Sequence, residues 1–440
     1  MALNKFTKIL SSGLLVLFLC GCTTVFGPHD LRTKPTSVEA KTDNGNDLES
    51  CKLTHNVCQT MKEHEAYSNG YVSSGNEFEL FLDGRAAQEA IMNEISLAKK
   101  YILMASYVLR GDETGKKFTE MMCSKANKGV EVYFMVDYFG LMHGGKENIE
   151  RMNECGVHAQ VFRKPVYYLF PLMYYYQKRE HRKLLVVDGQ VALVGSVSIG
   201  NKYGGWNNDD LPPWRETQVK VQGPIVNDLQ LAFKKRWPMA EKTFEVELCR
   251  DCFESFADED ISHVVDHSFK WNEKRMHDSY ITLIKNANHS LFLTYPYFLP
   301  SFYLVRELKR AAARGVDVRI LLPDDNNVSV LDKASRTFYA RLLKGGVKIY
   351  RYKQSVLHAK TMVIDGEISV IGSGNFDIRT FLHNLELNIV VANPELAKKM
   401  EKVYFDDLRY SKEVMLKDVQ KRGGGKKLND YLVKPFSFFL

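Results

Sequence analysis

The chain says the same thing twice, and that repetition limits what it can fold into. In the first half, residues 86–99 read as a helix, 101–107 as a strand and 116–128 as a helix; Gly129 then opens a buried strand ending at Asp137. In the second half, residues 277–286 read as a helix, 290–294 as a strand and 303–314 as a helix; Gly315 then opens a strand ending at Asp324. Cys155-Gly156-Val157 and Gly345-Gly346-Val347 begin a further matching strand in each half. Apolar strands alternating with helices predict an α/β fold with mostly buried sheets. Duplication of the whole order predicts two homologous lobes, each a mixed sheet flanked by helices, rather than one long sheet. A length of 440 residues suits two or more core-forming units.

Each half then delivers the same polar constellation. His181-Arg182-Lys183 is followed by four apolar residues and Asp188, then by Gly195-Ser196. His358-Ala359-Lys360 is followed by Thr361-Met362-Val363-Ile364 and Asp365, then by Gly372-Ser373-Gly374-Asn375. Histidine and lysine two apart in a strand share one face. The Asp-Gly step predicts a turn, with a second strand over 191–194 or 368–371 returning to the Gly-Ser. Charged groups on a buried strand cost roughly several kcal/mol unless they are paired, so both faces are expected to line a cleft.

Those residue types fit phosphodiester chemistry. Lys183 and Lys360 would hold the non-bridging oxygens and stabilise charge in the transition state. One neutral imidazole would attack phosphorus, while the other, protonated, hands a proton to the leaving oxygen. Ser196, Ser373 and Asn375 are expected to add hydrogen bonds to the phosphate. Asp188 and Asp365 complete the two motifs and, lying past the strand, are expected to orient the motif turns or the lobe interface. The scheme calls for no metal and no cofactor, because lysines supply the positive charge.

The two motifs, with Gly-Ser at a set spacing, resemble the phospholipase D superfamily over about residues 78–408. The match extends to features of the bacterial cardiolipin synthase branch: Trp214-Arg215-Glu216-Thr217, Gly223-Pro224, Tyr295-Pro296-Tyr297-Phe298-Leu299-Pro300, Asn375-Phe376-Asp377-Ile378-Arg379-Thr380 and Asn384-Leu385-Glu386. The resemblance implies two lobes meeting around a pseudo-twofold axis, one shared active site and a covalent phosphohistidine. It implies His181 as nucleophile and His358 as general acid, with Glu216 holding His181 and Glu386 polarising His358. The family pattern expects asparagine two residues after the serine. Asn375 supplies it in the second motif, whereas the first has Ser198, so an asymmetric site is expected. The function implied is phosphatidyl transfer between phospholipids. Hydrolysis through the same intermediate, as a phospholipase D or a phosphodiesterase or nuclease, is the alternative, and a non-catalytic envelope protein is a further one.

Outside the repeats, Lys5 and Lys8 precede a short apolar run over 9–20, the pattern of an export signal. It ends in Leu19-Cys20-Gly21-Cys22, which resembles a lipoprotein signal with lipid added at Cys22. A signal over 1–21 and a largely flexible tether over 22–77, with room for a short folded piece around Cys51 and Cys58, are expected, then lobes over 78–250 and 251–408 and a tail over 409–440. The chain is expected on the extracytoplasmic side of the cell envelope; Thr23 after Cys22 resembles lipoproteins of the outer membrane in a Gram-negative host. The other six cysteines of the eight suit disulfides in an exported protein, preferably Cys51–Cys58, Cys123–Cys155 and Cys249–Cys252. A formal net charge of +7 favours anionic partners. An anionic phospholipid membrane is the expected partner. The aromatic segment 166–176, beside Lys178 and Arg179, suits lipid but is also compatible with stacking on nucleic acid bases.

Overall fold

The computed structural model describes residues 51–425, 428 and 430, apart from 69–71, 164–177, 207–211, 238–243, 245–246, 250–251, 253–255, 257–259, 269–273 and 327. Strands are numbered in chain order. A two-residue strand, β1 (Val72–Ser73), comes first. Then follow β2 (Glu77–Asp83), β3 (Tyr101–Ser106), β4 (Glu131–Asp137), β5 (His158–Phe162), β6 (Leu184–Val187), β7 (Val191–Gly195) and β8 (Arg215–Gln222), which make a seven-stranded sheet. The second half contributes β9 (Ile261–His267), β10 (Ser290–Thr294), β11 (Phe298–Leu299), β12 (Asp317–Pro323), β13 (Lys348–Tyr352), β14 (Thr361–Ile364), β15 (Ile368–Gly372), β16 (Phe376–Asp377), β17 (Glu386–Ala392) and β18 (Ser411–Glu413).

The sheet orders carry the duplication into three dimensions. The first is β2-β8-β7-β6-β3-β4-β5 and the second β1-β9-β17-β15-β14-β10-β12-β13-β18. Without its two edge strands, the second repeats the first strand for strand. In each, three neighbours are parallel, β3-β4-β5 and β10-β12-β13, and the remaining pairs are antiparallel. β11 and β16 pair separately, in parallel.

Alternation along each strand sorts the core into layers. Ile102 and Met104 of β3 face an outer cluster with Ile91, Phe118 and Met152 from the first lobe's helices. Tyr101, Leu103 and Ala105 face the opposite way, into a cluster shared with Phe292, Val363 and Ile389 of the second sheet. Helices Ile225–Arg236 and Pro394–Arg409 add Leu229, Phe233, Leu396 and Met400 to that shared layer. On the far side, Leu291 and Leu293 pack with Tyr280, Leu304 and Phe338. The two sheets therefore bury one face against each other, which holds the lobes as one body.

Two expected boundaries move. Residues 51–77 are not a bare tether: helix His55–Glu65, capped by Thr54 and joined to Cys51 by the Cys51–Cys58 disulfide, buries Val57 and Met61 in the second lobe's core. β1 then pairs with β9, so this stretch belongs structurally to the second lobe. The expected tail also starts inside the fold, because Ser411–Glu413 pairs with β13. The other two bridges are Cys249–Cys252, preferred for its close spacing, and Cys123–Cys155, the pair that then remains. Residues 1–50, with Cys22, and the aromatic segment 166–176 lie outside the described residues.

Candidate active site

His181 and Lys183 were expected on a strand; they sit in the extended stretch just before β6, and His358 and Lys360 just before β14. The placement matters because these stretches pair across the lobes. Glu180 bridges to Leu385 and Arg215 to Leu357, both in parallel. His181 N–H donates to Leu385 O at 3.0 Å and Leu385 N–H to Arg179 O at 2.8 Å. Arg215 N–H donates to Val356 O at 2.9 Å and His358 N–H to Arg215 O at 2.8 Å. Each histidine segment is thereby laid beside the residue preceding the other lobe's glutamate.

The consequence is a crossed pairing, and it corrects the expected one. His181 Nδ1 lies 3.0 and 2.9 Å from the two Glu386 oxygens. His358 Nδ1 lies 2.8 and 3.0 Å from those of Glu216. An ionised carboxylate only accepts, so each Nδ1 carries the proton and each Nε2 is left for chemistry. Both glutamates are fully buried, and the histidines are 8% and 7% exposed. Lys183 Nζ donates to His181 O at 2.7 Å and Lys360 Nζ to His358 O at 2.6 Å, which ties each lysine to its own motif.

The serines are spent differently from expectation. Ser196 Oγ bonds Glu216, and Ser373 Oγ donates to Glu386 at 2.6 Å, so they brace the glutamates from behind. The glycine before each serine allows this: a Cβ on Gly195 would meet Thr217 O at 2.3 Å, and one on Gly372 would meet Leu387 O at 2.3 Å. Glu386 also accepts from Thr380 Oγ1 at 3.2 Å and Asn384 Nδ2 at 3.0 Å. Glu216 has no counterpart to these two bonds among the described residues, so the two halves differ in how firmly the carboxylate is held.

Asp188 and Asp365 stand apart from the chemistry. Asp188 accepts the N–H groups of Lys99, Lys100 and Tyr101, each at 2.8 Å. Asp365 accepts those of Asn288, His289 and Ser290 at 2.9, 2.7 and 2.9 Å. Each sits at φ +55° ahead of a glycine in the tight turn between two strands, and anchors the start of β3 or β10. They are structural members of the motif.

A cavity of about 290 Å³ gathers His181, Lys183, His358, Ser198 and Asn375 from both lobes. Asn375 is buried in this wall, and its Oδ1 has no hydrogen-bond partner among the described residues. Several other wall residues lie outside the two His-x-Lys motifs. Tyr107 meets His181 edge-on at 4.9 Å, and Trp214 meets His358 at 5.5 Å. Tyr297, Lys202 and Arg379 complete the polar rim, while Leu299, Leu331 and Phe338 form an apolar side. Repeat alignment would have found the two cations, since Lys202 and Arg379 stand at the same distance past Ser196 and Ser373.

Burial sets the electrostatics. It pushes His181 well below its ordinary range, helped by Lys183 and Lys360, and brings His358 down to about 4 against the pull of Glu216. It brings Lys183 to about 8 and Lys360 to about 7, although Glu386 and Glu216 oppose it. Glu386 is raised by burial. For Glu216, burial is outweighed by His358, Lys360 and the Ser196 hydrogen bond, and the carboxyl lies below its ordinary range. Without a ligand, the site therefore holds its cations reluctantly. An anion placed among them would favour the charged forms.

Comparison with known proteins gives this geometry its relatives. Residues 91–237 and 280–408 match the family described as cardiolipin synthase, PLD-like domain. A cardiolipin synthase of Clostridium perfringens is 32% identical over 374 residues, covering 83% of this chain and 77% of that one. The major cardiolipin synthase of Bacillus subtilis is 30% identical over 349 residues, covering 79% and 72%. In fold, the chain is similar to the crystal structure of phosphatidylserine synthase from Haemophilus influenzae, with a TM-score of 0.66 at 12% identity, covering 86% of this chain and 98% of that one. Two motif copies, two crossed glutamates and one cavity between matched lobes thus sit on a sequence related to these enzymes along most of its length, and the chain belongs to the cardiolipin synthase family of phospholipase D-like proteins.

Proposed function

We propose that this chain transfers a phosphatidyl group from one phospholipid to the hydroxyl of another, making cardiolipin from phosphatidylglycerol. The observation that carries the reading is the convergence of His181, Lys183, His358 and Asn375 from two lobes on one cavity. The kinship with cardiolipin synthases supports the choice of lipid.

In the proposed cycle, Lys183, Lys360 and Asn375 hold the non-bridging oxygens of the donor phosphodiester. His181 Nε2 attacks phosphorus. The bond to the headgroup glycerol oxygen breaks, and that oxygen takes a proton from Nε2 of His358, whose charged form is favoured by Glu216 and the bound phosphate. The products of this half are free glycerol and a phosphatidyl group on His181. His358, now neutral, takes the proton of an incoming hydroxyl from a second phosphatidylglycerol. That oxygen attacks phosphorus, the P–N bond breaks, and His181 is released. His181 is chosen as nucleophile because its carboxylate partner, Glu386, is braced by Ser373, Thr380 and Asn384, which holds the ring in one tautomer and orientation.

Purified full-length chain incubated with phosphatidylglycerol vesicles should yield cardiolipin and free glycerol in equal amounts. Phosphatidic acid alone would make it a hydrolase. Cleavage of single-stranded DNA with no change in lipid would overturn the lipid reading.

We further propose that residues 1–21 are an export signal and that Cys22 carries lipid, anchoring the site at the extracytoplasmic face of a membrane. Lys5 and Lys8 before the apolar run, and Cys22 at its end, support this. Among the described residues, no helix is long and apolar enough to cross a membrane. Labelled fatty acid should mark the wild-type chain and not Cys22→Ala; equal labelling would remove the proposal.

A further inference from the structure

Transfer to a phospholipid acceptor poses a second electrostatic problem. The acceptor brings its own phosphodiester, one glycerol away from the reacting phosphorus. Lys183 and Lys360 are committed to the first phosphate, so an additional cation is needed on the side where the acceptor hydroxyl meets His358.

The first lobe's wall of the cavity carries such a group. Lys202 and His143 both line it. Lys202 Nζ lies 5.0 Å over the Trp214 ring, and Trp214 in turn meets His358 at 5.5 Å. Behind them stand Arg110 and the carboxylate of Asp112. Asp112 already accepts from Arg110 Nε at 3.2 Å, Gly115 N–H at 3.2 Å and Asn201 N–H at 2.9 Å. Asp112 pairs with Arg110 and its charge reaches Lys202, but it already accepts three hydrogen bonds. Burial and then Arg110 push both Lys202 and His143 below their ordinary ranges, a condition that a bound anion relieves. The equivalent cation of the second repeat, Arg379, acts on the other side of the site, where its charge bears on His181 and Asp377. The duplication thus ends in two inequivalent cations, Lys202 next to Trp214 beside His358 and Arg379 acting on His181.

We infer that Lys202 and His143, walled by Trp214, form a second anion subsite that takes the phosphate carried by the acceptor alcohol. This rests on the transfer reading above, with His358 activating the acceptor. It makes a phosphate-bearing alcohol a better acceptor than a neutral one for a reason separate from the chemistry at phosphorus.

The test is an internal competition. The full chain receives phosphatidylglycerol vesicles with ethanol present, and the ratio of cardiolipin to phosphatidylethanol is measured. Lys202→Gln should lower that ratio by about tenfold or more, the scale of one lost charge-assisted hydrogen bond. His143→Gln should lower it in the same direction, and Lys202→Arg should restore most of it. A ratio equal to wild type in Lys202→Gln, whatever the total rate, would overturn the subsite and leave the transfer reading intact. A wild-type chain that forms neither product would bring down the transfer reading, and the subsite with it.

Discussion

Glu386 of the second lobe holds Nδ1 of His181 in the first, through both carboxylate oxygens at 3.0 and 2.9 Å. Glu216 does the same for His358 in the opposite sense. Neither lobe can orient its own histidine, so the site exists only when both are assembled. Glu386→Gln should therefore behave as a His181 variant and Glu216→Gln as a His358 variant, each losing about 10²–10⁴-fold in rate. Pre-steady-state kinetics with a p-nitrophenyl phosphodiester will separate them. Glu216→Gln should keep the burst of p-nitrophenol and slow the turnover that follows, while Glu386→Gln should lose the burst. The reverse pattern would make His358 the nucleophile.

The pH dependence should show a lysine. Burial brings Lys360 to about 7 in the empty site, even with Glu216 opposing it. A cation with a lowered pKa is charged below that value and neutral above it. Binding of the phosphodiester therefore weakens as pH rises through about 7, and kcat/KM should fall on that alkaline limb. The limb of kcat should lie at higher pH, because bound phosphate favours the ammonium. Lys360→Arg, which cannot lose its charge in this range, should move the limb up towards about 8, where Lys183 loses its own charge, in whatever activity it keeps.

Charge supplied by lysine also predicts how the protein responds to additives. Activity on a soluble short-chain phosphodiester should survive excess chelator. Inorganic phosphate should raise the melting temperature, by an amount that grows with the logarithm of its concentration above the dissociation constant. The rise should vanish in the Lys183→Ala, Lys360→Ala double variant. Complete and reversible loss of activity in chelator would contradict the scheme.

Asp188 and Asp365 offer a contrast within the same motif. Each accepts three backbone N–H groups. Alanine at Asp188 should cost about 2–4 kcal/mol of stability, because the Tyr101 N–H it leaves behind is buried; the loss at Asp365 should be smaller, because water can reach the N–H groups of Asn288 and His289. Chemical denaturation measures that loss directly. Activity per folded molecule at low temperature should fall much less than in any histidine variant.

Much of this architecture is legible in the sequence. The strand–helix order and the two His-x-Lys motifs repeat in sequence, and the sheets repeat them strand for strand. What the sequence concealed is what depends on contact between repeats. Spacing cannot say that Leu385 pairs with the stretch carrying His181, so the glutamates were expected on the wrong histidines. Ser196 and Ser373 were read as phosphate donors because hydroxyls near a motif suit that role; the close approach allowed by Gly195 and Gly372 turns them onto the glutamates instead. The cysteines allow a short folded piece around Cys51 and Cys58, but its form as helix His55–Glu65 is hidden by the polar, Asn- and Gly-bearing stretch before it. It folds by burying Val57 and Met61 against the distant second lobe, a gain that local sequence does not display.

The most direct test is to find where the phosphatidyl group rests. Full-length His358→Ala should be given a phosphatidyl ester with a p-nitrophenol leaving group, quenched rapidly at alkaline pH and mapped by mass spectrometry. The account predicts a covalent adduct on Nε2 of His181, accumulated because its release is slow, and none in His181→Ala. An adduct on His358 in the His181→Ala chain, with His181 unmodified in the partner experiment, would contradict it.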